Sequence, residues 1–490
     1  MWPPSPADPL LEAPMSEERA LRANVLGAAD TAMMAVAGSA PAYSIGASTA
    51  ALVAVAGLGS PAALLWCGIP MLGIAWAFSH LGRSQVNAGA SYAWVGRALH
   101  PVLGYLAGWA LIVSATLFMV AGAIPAGALT LSLFDPDLAS NTALVTVVGA
   151  VWFGAMALVV YLGVTVTARA QWIMSGIEVA ILVVFLVVGY LRAPAIAVES
   201  FDWSWLGFSH FDGMGGFAGA ALVAAFYYWG WDVSANLNEE TRSARRAAGL
   251  GGIVGVVIVF GLFLCFTVLV NLLLSADAIG GSGGNLLDLL GQAIWPGPGG
   301  KVLSIAVVLS TIATLETTLI QVTRTMFAMG RDGTLPHAFG RTHLRWRTPT
   351  LATIVVAVVS VLLFVAANFL GTVGEILSDA ISAIGLQIAF YYGLAGIAVV
   401  VSHRAELFKS VRNFLLIGLW PGVGAAFLLW MFVQAIGSNT AVVNGIGLGL
   451  LAVGIVPMLM AWRKGSAYFA RAAVGADTVD VAVPTGGELR

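Results

Sequence analysis

Two glutamates interrupt long apolar runs of this sequence, and their carboxyl groups are the side chains best suited to chemistry. Glu178 lies in QWIMSGIEVAILVVFLVVGYL, seven residues beyond Gln171, and Glu316 lies in STIATLETTLIQVTR, eight residues before Arg324. A carboxyl group deep in apolar surroundings is costly, which makes it a functional candidate by default. Three roles remain open for Glu178: carrying a coupling proton, binding a cationic substrate or Na⁺, and staying protonated as a hydrogen-bond donor.

Glu316 has several threonines beside it that can shield a carboxyl group with their hydroxyls. One hypothesis is a proton or cation site formed by Glu178, Glu316 and Thr314. The structural alternative for Glu316 is a hydrogen bond to the first apolar run. Because neither acid has a comparably deep basic partner in sequence, the pair favours a substrate with net positive charge.

Two stretches combine residues that disfavour a continuous helix. Residues 226–241, FYYWGWDVSANLNEET, place an aromatic cluster, a glycine and a carboxylate where an apolar helix would otherwise continue; residues 37–44, AGSAPAYS, interrupt an earlier run. Lipid cannot bond freed N–H and C=O groups, so broken backbone at membrane depth must be buried in protein or line a cavity. Both stretches are predicted to be helix breaks, with simple kinks between packed helices as the alternative.

A helix break offers the ends of two half-helices as a binding site. Freed N–H groups at a helix start receive a carboxylate, and freed carbonyls at a helix end receive an ammonium group. We assign the carboxylate side to Gly38, Ser39, Ala40 and Pro41, although the proline has no N–H to donate. The second break supplies the carbonyls and an aromatic lid. For each aromatic ring, the alternative is that it only fills space between helices. The residues assigned to this side are Phe226, Tyr227, Tyr228, Trp229 and Gly230.

Other polar residues are candidates for supporting roles. Asp232 follows the second break, where it either attracts an amine or anchors the unwound segment by accepting hydrogen bonds; anchoring is the favoured role. Ser114 and Thr116 are the polar candidates of the third apolar run.

Two segments are candidates for gating. Glu239 and Glu240 lie beside Arg242 at the cytoplasmic mouth, where their charges form either a latching salt bridge or a solvated cluster. Residues 275–300 contain a short amphipathic pattern between glycine-rich hinges, which predicts either a moving cap or a resting interfacial helix.

The composition places these residues in a bilayer. Only 9% of the 490 residues are charged and 59% are hydrophobic, against roughly 25% charged in an ordinary soluble domain. A net charge of −2 gives no reason to expect nucleic acid as a partner. The sequence shows no nucleophile–base pair, metal-ligand spacing or phosphate-binding loop, so we expect neither an enzyme nor a bound metal or cofactor.

A membrane helix needs roughly 20 apolar residues, and twelve runs meet this requirement. They cover residues 25–57, 60–80, 101–131, 141–162, 171–191, 213–238, 248–274, 301–328, 350–369, 374–401, 413–436 and 442–462. The expected class is an all-α integral membrane protein with one permeation domain over 25–462, between an N-terminal tail of 1–24 and a C-terminal tail of 463–490.

The distribution of basic residues predicts the orientation. With the N-terminus in the cytoplasm, all but two of the 22 Lys and Arg residues fall on the cytoplasmic side, the exceptions being Arg192 and Lys301. Basic residues concentrate on that side of membrane proteins. Both tails are therefore expected in the cytoplasm.

The predicted breaks fall in the first and sixth runs, at matching places in two five-helix halves. Because five is odd, the halves run in opposite senses, as in inverted-repeat transporters that bind substrate near the bilayer midplane. The expected repeats are 25–191 and 213–401, with two extra helices over 413–462.

At several places the sequence resembles the amino acid-polyamine-organocation permeases. The resemblance rests on GSAPAYS (38–44), on FYYWGWDVSANLNEET, on RTMFAMGRDGTLPHAF (324–339) with the following RTP (347–349), and on NAGASYAWVGRALHPVLGYLAGW (87–109). It covers roughly residues 22–465. It implies a leucine-transporter-type fold and uptake of an amino acid or related amine, usually coupled to protons.

One residue departs from the pattern of that family. Many members place a lysine at about the position of Glu178, where it is a proposed proton carrier, so the reversed charge puts the usual proton mechanism in doubt. H⁺ is the expected coupling ion, with Na⁺ as the alternative. A polyamine transporter or exchanger and a sensor that binds amino acids without moving them are the other functions considered, and no oligomeric state is predicted.

Overall fold

The protein is built from helices. A computed structural model describes residues 20–282, 286–367 and 373–470, and in these ranges it contains no β-strand. The α-helices are α1 (Ala28–Gly38), α2 (Pro41–Ala56), α3 (Ser60–Ser84), α4 (Ser91–Ala98), α5 (Pro101–Ser132), α6 (Thr142–Tyr161), α7 (Val164–Ile196), α8 (Gly213–Tyr227), α9 (Val233–Asn236), α10 (Ala244–Leu273), α11 (Ala276–Gly280), α12 (Leu286–Ile294), α13 (Gly299–Arg331), α14 (Thr350–Ala367), α15 (Val373–Ser402), α16 (Arg404–Leu407), α17 (Val411–Asn413), α18 (Trp420–Ser438), α19 (Ala441–Val453), α20 (Ile455–Arg463) and α21 (Ala467–Ala470). Short 3₁₀-helices and one π-helical stretch connect them: Gly57–Gly59, Pro136–Ser140, Trp203–Leu206, Asn238–Glu240, His337–Gly340 and the π-helical Phe414–Leu419.

Many of these helices are suited to a bilayer. Among the described residues, nine helical segments are long and apolar enough to cross a membrane, and Gly213–Tyr227 and Thr350–Ala366 are shorter apolar helices. The twelve predicted runs all overlap these segments, two of them within Ala28–Ser84. The protein is therefore a multi-pass membrane protein, as its composition predicts.

The helices divide into a buried centre and an apolar periphery. The spans formed by α5 and α13 are largely buried, and α5 packs against both α13 and α15. The spans formed by α6, α7 and α19–α20 expose most of their surface, and much of it is valine, leucine and isoleucine. Such a distribution suits helices whose outer faces contact lipid.

Helix α7 begins earlier than the predicted fifth run. Helix α7 begins at Val164 and not near Gln171, so Glu178 lies fourteen residues into the helix, ~21 Å from its start at 1.5 Å per residue. The acid thus lies twice as far from the start of its helix as the apolar run predicts. Most of the predicted tails, together with residues 283–285 of the amphipathic segment and 368–369 of the ninth run, lie outside the described residues.

Candidate functional site

The first break separates α1 from α2 at Ser39 and Ala40. Ala40 adopts φ 47° and ψ 63°, a left-handed conformation that an α-helix cannot continue through. Pro41 then occupies the first position of α2, where its missing N–H costs nothing. The interruption therefore falls inside the stretch 37–44.

The second break separates α8 from α9 between Tyr228 and Asp232. Gly230 has φ +90°, a conformation in which a side chain is strained. Its backbone lies against the first break: a Cβ on Gly38 would be 2.2 Å from the Gly230 carbonyl oxygen, and a Cβ on Gly230 would be 2.1 Å from the Gly38 carbonyl oxygen. Two glycines thus allow the two breaks to touch backbone to backbone.

The N–H groups of the first break already have protein acceptors. Ala42 donates to Oε1 of Glu178 at 2.9 Å, and Tyr43 donates to the hydroxyl of Ser310 at 3.2 Å. The Ser44 N–H bonds the Ala40 carbonyl at 2.8 Å, and the N–H groups of Ser39 and Ala40 bond carbonyls of α1. The start of α2 therefore has the capped, saturated donors of an ordinary helix N-terminus, with a carboxylate from α7 as its cap.

An aromatic cluster lies beside the two breaks. Tyr43 of α2 and Trp229 of the second break both contact the ring of Phe118 edge-on, with ring centroids 6.1 and 5.4 Å away. The hydroxyl of Tyr43 donates to the carbonyl of Ala121 at 2.8 Å. That carbonyl is available because Pro125, four residues later in α5, has no N–H to bond it.

Replacing Tyr43 with phenylalanine is expected to destabilise the protein by about 1–3 kcal/mol, because the buried Ala121 carbonyl loses its partner. Adding Pro125→Ala supplies a helical N–H to the same carbonyl and is expected to recover part of the loss. Thermal midpoints of the two single variants and the double variant in detergent measure this coupling. Strictly additive effects would show that the two groups do not share the carbonyl.

Asp232 is held by two tyrosines. Its carboxylate oxygens accept from the hydroxyls of Tyr392 at 2.8 Å and Tyr391 at 3.1 Å, both on α15, and Tyr391 also accepts from the indole N–H of Trp229 at 2.8 Å. The side chain ties the second break to α15. This geometry suits the anchoring role, with tyrosine hydroxyls as donors.

The two deep glutamates lie on facing helices but have separate partners. Glu316 of α13 accepts from the side-chain amide of Gln171 at 2.8 Å, and Ser175 donates to the other end of that amide at 3.2 Å. Thr314 donates to the Ala37 carbonyl at 2.7 Å. No hydrogen bond joins Glu178, Glu316 and Thr314 to one another within the described chain, and Thr314, not Glu316, bonds the first span.

The charged pairs at the end of α13 differ from the predicted arrangement. Glu240 is fully buried against Arg324, which it bonds at 2.9 and 3.1 Å, and Glu239 pairs with Arg331 at 3.0 Å. Arg242 is exposed, and its side chain bonds the Asn24 carbonyl instead. The two acids thus bind α13 to the segment after the second break, and the solvated-cluster alternative does not describe them.

Several other candidate side chains point away from the break. Ser114 and Thr116 bond carbonyls of their own helix. Tyr227 bonds Thr49 of α2 at 2.7 Å, and Tyr228 donates to the Leu64 carbonyl at 2.9 Å. These rings fix α8 against α2 and α3. Phe226 is buried in the core, and Trp229 is the predicted lid residue whose ring contacts Phe118.

Sequence reasoning missed the residues that complete the site. Phe118, Ser310, Tyr391 and Tyr392 all contact groups of the two breaks but belong to three other helices. The adjacent tyrosines in AFYYGLAG were a usable signal, because paired hydroxyls in an apolar run need buried partners. Ser310 gave no such signal.

The interior has an excess of carboxyl groups. Glu178, Asp232 and Glu316 are fully buried, and in the described part of the chain none of them forms an ion pair. Arg324 is buried as well, but its charge is matched by Glu240. These three carboxyl groups are therefore not neutralised by a lysine or arginine of the described chain.

Comparison with known proteins identifies the family. Residues 26–461 match the family model described as amino acid permease. The low-affinity putrescine importer of Escherichia coli (strain K12) is 24% identical over 398 residues, covering 76% of this chain and 81% of the relative. A branched-chain amino acid permease of Lactococcus lactis subsp. cremoris is 23% identical over 378 residues, covering 74% of this chain and 80% of the relative. These relatives are a transporter and a permease, not enzymes. Because the family model spans most of the sequence, the chain belongs to the amino acid permease family.

Proposed function

We propose that the protein imports an amino acid or related amine across the cytoplasmic membrane as a secondary active transporter that works by alternating access. The observation that carries the proposal is the contact of two broken helices at Gly38 and Gly230, surrounded by buried carboxyl groups. Family membership and the names of the putrescine and branched-chain amino acid relatives agree with this class of substrate.

The proposed topology has twelve membrane spans and two cytoplasmic tails. Inverted repeats of residues 25–191 and 213–401 place the breaks of spans 1 and 6 at equivalent positions, and residues 413–462 add two further spans. The charge distribution of the sequence supports this orientation, with 1–24 and 463–490 as cytoplasmic tails. The cytoplasmic membrane is the proposed location.

The substrate is proposed to bind where the breaks meet, against the backbone of Gly38 to Pro41 and Gly230. Trp229 supplies an aromatic face for an ammonium group, a contact of about 2 kcal/mol when desolvated. The salt bridges that bind Glu239 and Glu240 to α13 are the proposed gate, and separating these acids from α13 would open it.

Protons are the proposed coupling ion, with Glu178 as the carrier. Its carboxyl group contacts the start of α2, so gain or loss of a proton would change the attraction between α7 and the half-helix that must move. Glu316 and Gln171 extend the same α7–α13 interface with buried polar groups and are the proposed route toward Glu178.

Uptake into proteoliposomes tests transport and coupling together. With the external side acidic and the interior alkaline, the wild-type protein is expected to accumulate labelled putrescine or a labelled neutral amino acid above equilibrium. Glu178→Gln is expected to abolish uphill accumulation while retaining exchange against preloaded substrate, because exchange needs no net proton movement.

Three results would contradict parts of this scheme. Retention of full uphill accumulation by Glu178→Gln would remove the acid from the coupling role. A response to a sodium gradient and none to a pH gradient would replace the coupling ion. Binding of substrate without any uptake or exchange would show a sensor and end the transport proposal.

A further inference from the structure

Resting on the proposed function, we infer that Glu178 is a resident carboxylate that fills the place a substrate carboxylate would take, and that the substrate is therefore an amine without a carboxyl group.

The N–H donors of the first break are already occupied. A carboxylate at a helix start is held by free N–H groups and by the positive end of the helix dipole. The Ala42 N–H at the start of α2 is bonded to Oε1 of Glu178, and the N–H of Tyr43 is bonded to the hydroxyl of Ser310. Pro41 has no N–H, and Ser44 bonds the carbonyl of Ala40. A second carboxylate would find no backbone donor here.

The charge at the first break disfavours a second carboxylate. Glu178 is fully buried. Its Oε2 accepts no hydrogen bond within the described chain. The hydroxyl of Ser310 is the nearby polar group beside this carboxyl group. A substrate carboxylate entering this space would meet a carboxyl group of the protein and would be buried without a donor, which is strongly unfavourable. An ammonium group would meet an acceptor oxygen.

The other buried groups of the interior favour a cation as well. Asp232 and Glu316 also lack a cationic partner in the described residues, and the one fully buried arginine is matched by Glu240. Trp229, Phe118 and Tyr43 add aromatic faces next to the breaks. Each of these groups attracts a cation. None of them offers a positive charge to the carboxylate of a zwitterion.

Matched substrate pairs test the inference, because they differ only in the carboxyl group: putrescine with ornithine, and isobutylamine with valine. Counterflow uptake into proteoliposomes preloaded with the same unlabelled compound measures selectivity without depending on proton coupling. The wild-type protein is expected to favour the amine of at least one pair by about tenfold or more.

Substitutions at Glu178 separate the effect of occupying the Ala42 N–H from the effect of the carboxyl charge. Glu178→Ala leaves the Ala42 N–H free, so the preference for the amine over the amino acid is expected to fall by about tenfold or more. Glu178→Gln keeps an oxygen on that N–H and is expected to keep excluding the amino acids, even if amine uptake slows. Gly176→Ala, also on α7, adds a Cβ that meets nothing within 4 Å; it is the control and is expected to leave the ratio unchanged.

The outcomes distinguish this inference from the proposed function. If wild-type uptake of both ornithine and valine is faster than, or within about tenfold of, uptake of the matched amines, the inference is overturned and the transport proposal stands. An unchanged ratio in folded Glu178→Ala protein would also overturn it. If that variant does not fold, the wild-type ratio and the Glu178→Gln ratio still decide. Absence of counterflow for all four compounds would instead overturn the transport proposal and this inference with it.

Discussion

Gly230→Ala is expected to abolish transport and to destabilise the protein by about 2–6 kcal/mol. Two costs add at this position. The backbone has φ +90°, which alanine adopts only with strain, and the new Cβ would lie 2.1 Å from the carbonyl oxygen of Gly38. To relieve the clash, the two helix breaks must move apart, which removes the contact on which the proposed substrate site depends. Thermal midpoint in detergent and counterflow uptake measure the two effects.

Comparison with other glycines makes this test specific. Gly38→Ala creates a similar clash with the Gly230 carbonyl oxygen but carries no penalty from a positive φ, so its effect on stability is expected to be smaller. Gly261→Ala, in the middle of α10, meets nothing within 4 Å and is expected to be neutral or to stabilise the helix by about 0.5–1 kcal/mol. Equal behaviour of Gly230→Ala and Gly261→Ala would refute the contact between the breaks.

Glu240→Gln is expected to cost about 3–5 kcal/mol, because it leaves the buried guanidinium of Arg324 without its counter-charge. Both side chains are almost fully excluded from solvent, and the two hydrogen bonds between them measure 2.9 and 3.1 Å. The loss should appear as a lower thermal midpoint and as looser attachment of α13 to the segment that follows the second break. Limited proteolysis near residues 238–243 reports the second effect.

The neighbouring acid provides the matched control for the buried pair. Glu239 pairs with Arg331 on the same helix, but about a fifth of each side chain is exposed. Glu239→Gln is therefore expected to cost about 1 kcal/mol or less. Replacing both buried partners, with Glu240→Leu and Arg324→Met together, should recover much of the stability lost in Glu240→Gln. A cost for Glu239→Gln equal to that of Glu240→Gln would contradict the assigned burial.

The two helix breaks were predictable from sequence because they depend on local chemistry. Ala40 and Pro41 stand in a run of small residues, and Gly230 stands among aromatic residues, and in each case neighbours along the chain disfavour helical bonding. The apolar runs were predictable for the same reason, since a membrane helix satisfies its own backbone. Family membership followed from the same stretches of sequence.

The contacts made by the breaks were not predictable in this way. Glu178 was identified as a functional candidate from its depth, but its bond to Ala42 joins residues 136 positions apart. The partners of Glu239 and Glu240 lie 92 and 84 positions away, on α13, whereas sequence proximity suggested Arg242. Aromatic residues assigned to one lid instead turn to different helices, because adjacent side chains around a broken helix end point in different directions.

The sequence by itself therefore determined a membrane protein of this family, its helical runs, the positions of its two breaks and its unusual buried acids, all of which follow from composition and local backbone preference. Only the tertiary structure decided which acid caps which helix, which arginine neutralises which glutamate and which rings surround the breaks. These pairings depend on how distant helices pack, and the physical reason is that a buried polar group accepts whichever partner the packing brings within hydrogen-bonding distance.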